Sequence, residues 1–166
     1  MTGVQTCALP ICNWIIVGAP IDDTGAIGGG RAYFYTILGT NPTLAATLNN
    51  PSPAANDRFG SAIAMSGPRA VIGACRDDTG ATDAGSAYVY NLISTTPSVP
   101  FATLNNPSRA EYDHFGFSVG ISGTRVVVGA PGNDTVVTDA GRAYVYDLSR
   151  NTPTVPWFTL DRKSVV

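Results

Sequence analysis

The chain reads as an all-β protein: a β-propeller fragment of nearly three four-stranded antiparallel blades. Three observations predict this. First, a unit recurs at a spacing of 56 residues, or 55 between the first two copies. Phe59-Gly60 returns as Phe115-Gly116, Gly18-Ala19-Pro20 as Gly73-Ala74-Cys75 and Gly129-Ala130-Pro131, and Thr47-Leu48 as Thr103-Leu104 and Thr159-Leu160. A fixed period of this length marks stacked supersecondary units. Second, large and small residues alternate with a period of two inside the unit, the period of a strand. Third, the chain holds 18 Gly and 12 Pro against only 13% charged residues, which suits many short strands joined by turns.

The unit beginning at Phe115 shows the elements in order. Phe115, Phe117, Val119 and Ile121 alternate with Gly116, Ser118, Gly120 and Ser122, so one face is large and the other minimal. A face of Gly and Ser lets another backbone come close, as a crowded inner strand requires. Phe59–Ser66 repeats the pattern. Ser122-Gly123-Thr124 and Ser66-Gly67-Pro68 then break the run as tight turns. The β-branched run Arg125–Gly129 predicts a buried second strand, with counterparts at Trp14–Gly18 and Arg69–Gly73. After a polar loop comes a third strand at Arg142–Tyr146, recurring as Arg31–Tyr35 and Ser86–Tyr90. The last strand, Val155–Leu160 or Val99–Leu104, carries Pro156 or Pro100 and therefore belongs at a sheet edge. Tyr35 to Leu48 is one residue shorter than Tyr90 to Leu104, which puts the length variation in the loop before that strand. A four-stranded unit repeated radially is a propeller blade.

Phe-Gly, a strand, a turn and then Val-Gly-Ala-Pro resembles the FG-GAP repeat of integrin α-chain propellers and their bacterial relatives. The resemblance covers essentially residues 12–160. It implies seven blades in the full protein, an extracellular or cell-surface location, and a protein-interaction or adhesion module with a protein or surface ligand and no catalytic role. It also implies, in many members, a calcium loop of the Asp-x-Asp-x-Asp-Gly type between Phe-Gly and Gly-Ala-Pro. Here that interval is Ala64–Pro68 or Gly120–Thr124, with no carboxylate. Calcium takes six to eight oxygen ligands, several of them charged, so no cofactor is expected on these repeats. Two other readings stay open: a structural spacer in a surface protein, and a propeller attached to a hydrolase or lyase domain encoded elsewhere.

Both ends read as foreign to the repeats. Residues 2–11, TGVQTCALPI, and 161–166, DRKSVV, resemble translated sequencing adapter. The expected organisation is therefore adapter-derived residues 1–11, propeller repeats over 12–160, and adapter-derived residues 161–166, with the repeats cut from a longer gene. A truncated repeat array leaves blade faces without neighbours, so self-association is expected.

Composition narrows the partners. Without Asp161, Arg162 and Lys163 the chain keeps 8 basic and 11 acidic residues, a net charge of −3. Eight scattered arginines form no basic stripe, which argues against nucleic acid. No apolar run of about 18 residues is present to span a membrane. Outside the adapter-like ends only Cys12 and Cys75 remain, and Cys75 replaces the Pro of Gly-Ala-Pro, as a small buried thiol would.

The candidate ligand-binding residues lie in the loop after Gly-Ala-Pro. They are Asp77, Asp78 and Asp83 in the second repeat and Asp134 and Asp139 in the third, with Asp22 and Asp23 in the first. Loops at one end of a propeller converge, so these carboxylates could ring an opening as a weak calcium or ligand rim. Equally, Asp and Asn cap turns through their own backbone. Gly28 replaces Asp83 in the first repeat, which counts against an obligatory ligand. His114, the single histidine, is expected in a solvent-exposed loop with no catalytic partners. Gly28-Gly29-Gly30 precedes a strand, so no helix N-terminus is there to hold a phosphate. The third-strand tyrosines (33, 35, 88, 90, 144 and 146) pack blades or offer a ligand face.

Overall fold

A computed structural model of the chain describes residues 4–6, 13–133 and 140–161, residues 4–6 by backbone alone. It forms three four-stranded antiparallel sheets. The first holds β1 (Val4–Thr6), β2 (Trp14–Ala19), β3 (Arg31–Leu38) and β4 (Asn41–Asn49). The second holds β5 (Phe59–Ser66), β6 (Arg69–Ala74), β7 (Ser86–Asn91) and β8 (Ala102–Asn105). The third holds β9 (Ser118–Ser122), β10 (Arg125–Ala130), β11 (Arg142–Asp147) and β12 (Phe158–Asp161). Strand order follows chain order in each, so the fourth strand is an edge; β8 and β12 start later than expected, two residues after Pro100 and Pro156, which lie outside the ladder. Residues 4–6, set apart by the sequence reading, pair with β2 in the first-strand position.

The register repeats from sheet to sheet. Gly73 faces Ala87 across β6 and β7 as Gly129 faces Ala143 across β10 and β11. Each sheet packs one face on the next. Ile16, Ala32, Phe34 and Leu48 of the first sheet bury against Phe59, Ile72, Tyr88 and Tyr90 of the second. The other face of the second sheet (Val71, Ala87, Val89 and Leu104) buries against Phe115, Val126, Val128, Tyr144 and Tyr146 of the third. Phe59 sits with its ring centroid 5.6 Å from Tyr88 and 6.2 Å from Tyr90, and Phe115 lies 5.5 and 6.4 Å from Tyr144 and Tyr146. Centroids 4.5–7 Å apart are favourable aromatic contacts, so these tyrosines serve packing.

Glycine marks the closest approaches. A Cβ on Gly73 would run into the Gly116 carbonyl oxygen of the next sheet, and one on Gly18 into that of Gly60. The Gly of Gly-Ala-Pro is thus the seat for the Gly of the following Phe-Gly. This is the backbone approach that the small face of the first strand predicts.

One element departs from the simple alternation. Phe59 pairs with Ala74 and Ala62 with Gly73, so β5 bulges by two residues at Gly60 and Ser61. In the third sheet β9 begins only at Ser118, beyond the same point. The bulge keeps Phe59 and Ile63 on one face but throws the residue between them outward. Phe117, read from the sequence as part of the large inner face, is therefore 60% exposed.

Candidate functional site

The first strand begins, the second ends and the third begins at the same end of each sheet. Two kinds of loop meet there. One follows Gly-Ala-Pro. The other links the fourth strand of one sheet to the first strand of the next. The link is bonded to the loop of the sheet before it by three backbone hydrogen bonds. Asn56, Arg58 and Phe59 amides donate to Ile27, Gly28 and Gly29 carbonyls, and Tyr112, His114 and Phe115 amides to Thr82, Asp83 and Ala84. It also touches its own sheet, with Arg76 N donating to Asp57 O and Gly132 N to Asp113 O.

The acidic loop residues serve this scaffold. Asp77 is 2% exposed; its Oδ1 accepts from Thr79 N (2.8 Å) and its Oδ2 from the Tyr88 hydroxyl (2.6 Å). Asp22 repeats the arrangement with Thr24 N (2.9 Å) and Tyr33 (2.8 Å). These bonds, the Thr24 side chain's first, hold the Asp22 carboxyl below its usual range. Burial, then the Asp77 charge, pushes the Tyr88 hydroxyl well up. Asp78 Oδ1 accepts from Asp83 N and Asp23 Oδ1 from Gly28 N, both at 2.8 Å. Asp83 has φ +50°, the left-handed region that Gly28 occupies at φ +65°. Asp tolerates that region better than most residues, which explains the exchange. Asp77 and Asp78 thus cap turns through their carboxylates, while Asp83 joins through its backbone amide, which donates to Asp78. Asp134 and Asp139 lie outside the described residues. Among the described residues no group of three or more His, Cys, Asp or Glu is placed to hold a metal ion.

The sequence reading passed over a second constellation. Asn50 Nδ2 donates to Asp57 Oδ2 (2.7 Å), and Ala54 N donates to the same oxygen (2.7 Å). In the next link Asn106 Nδ2 donates to Asp113 Oδ2 (2.6 Å), joined by Ala110 N (3.2 Å) and by Asn133 Nδ2 (3.0 Å). Asn133 occupies the Asp77 position. All four link residues are buried, and Asp57 is 1% exposed. Burial, reinforced by the Asp77 charge, pushes the Asp57 carboxyl up to about 6. The signal was available: Asn-Asn-Pro-Ser followed by Asp recurs at 49–57 and 105–113.

Profile comparison with known families agrees with this geometry. The FG-GAP repeat matches residues 43–90 and 102–146, together more than half of the chain. The chain belongs to the FG-GAP repeat family. Among curated proteins none matches it. Each FG-GAP match begins in the fourth strand of one sheet and ends in the third strand of the next, so it spans a link with its Asn–Asp clamp.

Beside exposed polar residues such as Asp23, Asp78 and Glu111, this end also exposes large apolar ones. Ile21 (69% exposed), Ile27, Tyr112 and Phe117 project from the loops. His114 is half-buried instead of solvent-exposed: its Nδ1 lies 3.2 Å from the Cys75 carbonyl oxygen, which can only accept, so this nitrogen donates. Cys75 is a buried free thiol, as its place in the repeat suggested.

Proposed function

We propose that this FG-GAP chain is a non-catalytic interaction scaffold from a secreted or cell-surface protein, and that it contacts protein or surface ligands through the Gly-Ala-Pro end of its blades. The observation that carries the reading is the division of labour at that end. The carboxylates of Asp22, Asp57, Asp77, Asp78 and Asp113 are engaged in turns and clamps, while the large apolar Ile21, Ile27, Tyr112 and Phe117 are left in solvent. Exposed large apolar groups collected on loops held by a rigid frame are a contact surface. FG-GAP repeats are generally non-catalytic and occur typically in extracellular or surface proteins. No calcium is called for on these repeats, and millimolar calcium should leave the melting temperature unchanged. Surface placement is tested by mass spectrometry of peptides shaved from intact source cells. Peptides of this chain should appear without lysis; their release only on lysis would overturn the placement. Contact is tested by biolayer interferometry against immobilised extracellular-matrix proteins. Saturable binding lost in an Ile21→Ser, Phe117→Ser double variant of unchanged melting temperature is expected. Binding that survives the double variant would sink the rim as the contact surface.

The far face of the third sheet carries a separate expectation. Val127 and Val145 occupy the register positions of Val71 and Val89, and Phe158 and Leu160 those of Ala102 and Leu104. In the second sheet these positions are covered by the third; in the third sheet Val127, Phe158 and Leu160 are exposed. The chain should therefore self-associate, which sedimentation velocity would show as a concentration-dependent shift. Val127→Lys should suppress that shift. A single monomeric species at all concentrations would refute the expectation.

A further inference from the structure

A cavity of about 380 Å³ opens among all three sheets at the Gly-Ala-Pro end. Pro20 and Ile21 come from the first sheet's loop, Arg58, Ser61 and Cys75 from the second sheet, and Phe117 from the third. Its lining is mixed: Pro20, Ile21 and Phe117 are apolar, and Arg58, Ser61 and Cys75 bring polar groups. Ser61 Oγ lies 3.4 Å from the Gly73 carbonyl oxygen and 3.6 Å from Cys75 Sγ, weak contacts that leave the hydroxyl free to turn. Cys75, 7% exposed, stands where the neighbouring repeats have Pro. Among the described residues Arg58 is the one charged residue on the wall; it is exposed, and its guanidinium makes no ion pair.

The backbone holds Arg58 there. Arg58 has φ +57° and its counterpart His114 φ +53°, with Asn56 and Tyr112 also in the left-handed region. A long side chain in that region is sparsely populated, and its persistence in two consecutive links shows that the surroundings over-determine it. In the second link the outcome is visible: His114 reaches back to the preceding loop and bonds the Cys75 carbonyl. Arg58 is carried by the same backbone toward Pro20 and Ile21, where it lines the cavity. The nearby acids do not neutralise it. Asp57 and Asp77 are buried in their own hydrogen bonds, and Asp22 lies 3.8 Å from Arg31.

We propose that this cavity binds a carboxylate carried on an apolar body, with the carboxylate on Arg58 and Ser61 and the apolar part between Ile21 and Phe117. A guanidinium presents paired donors that match a carboxylate, and apolar walls around a few convergent polar groups are the usual make-up of a small-ligand site. The proposal deepens the scaffold reading by naming what the rim takes hold of. Its test reads the cavity itself, so it can fail while the rim reading stands.

Cys75 supplies the reporter. Iodoacetamide alkylates a thiol: Sγ bonds to the methylene carbon, iodide leaves and the thiol proton passes to buffer. Mass spectrometry of the full chain follows Cys75 separately, with Cys7 and Cys12 as references. Phenylacetate at about 10 mM, the range expected of so small a ligand, should slow Cys75 alkylation about tenfold, as a charge-assisted pair implies. Phenylacetamide should not. Arg58→Asn, which the left-handed backbone accepts, should remove the difference between acid and amide. Acetyl-Phe-Asp-amide run beside phenylacetate separates the sources: stronger protection by the peptide assigns the site to an acidic side chain of a protein, and stronger protection by the free acid to a small organic acid. Equal protection by acid and amide, no protection, or protection that survives Arg58→Asn would each overturn the proposal. The first two outcomes are read on the unaltered chain.

Discussion

Gly73→Ala should destabilise the chain by about 3 kcal/mol or more, whereas Gly129→Ala should change it by less than about 0.5 kcal/mol. The two residues hold the same place in the Gly-Ala-Pro motif, so motif membership alone predicts equal effects. Their surroundings differ. A Cβ on Gly73 would collide with the carbonyl oxygen and carbon of Gly116, which belong to the backbone of the next sheet. No rotamer relieves that clash; the third sheet must move off the second, and the contacts of Phe115, Val126 and Tyr144 loosen with it. On Gly129 the nearest atom is the hydroxyl of Ser118, a side chain that can turn away. Urea denaturation of both variants and the parent, followed by circular dichroism, decides the matter. Equal losses would mean that Gly is required for strand conformation and that inter-sheet contact is not the cause. Gly18→Ala, facing the Gly60 carbonyl, should behave like Gly73→Ala.

That contrast also shows what the sequence could and could not reveal. Strand positions were legible because a residue's alternation and its repeat partner 56 positions away agree on one face, and β6, β7, β10 and β11 extend each expected run by a single residue. The need for Gly at close approaches was legible from the Gly and Ser face of the first strand. The fate of Phe117 was not. A bulge breaks the period of two, and it is set by how Gly60 and Gly116 meet the preceding sheet, a contact between residues far apart in the chain. The loop acids were legible as turn caps or ligands, and only three-dimensional partners such as Tyr88 separate the two roles. Asn50 and Asp57 lie seven residues apart in a loop with no periodicity, so nothing local marks them as bonded. Their recurrence as Asn106 and Asp113 was the one available sign.

The same clamp makes stability depend on pH in an unusual direction. Asp57 titrates at about 6 in the folded chain, pushed up by burial and then by the Asp77 charge, against 3.8 for a free side chain. A carboxyl whose folded value is raised favours the fold when protonated. Its contribution is complete below the unfolded value and lost as pH rises through the folded one. Between about pH 4 and 7 the fold should therefore lose stability as pH rises, by on the order of 3 kcal/mol over the full span. The lowered carboxyls of Asp22 and Asp147 act oppositely and cost stability only as pH falls through and below 3.8, so they leave this window largely untouched. Asp77→Asn should shrink the slope and raise the melting temperature at pH 7.5. It deletes the repelling charge and offers an amide to Asp57, the arrangement that Asn133 and Asp113 already make in the third sheet at 3.0 Å. Burial, the larger cause, remains, so part of the slope should persist. Thermal melts of parent and Asp77→Asn at half-unit steps from pH 4.5 to 8 provide the comparison. A parent melting temperature that rises across the window would show that Asp57 stays ionised in the fold. A variant with unchanged slope but lower stability throughout would show that Asp77 matters as the acceptor for Tyr88 and not through its charge on Asp57.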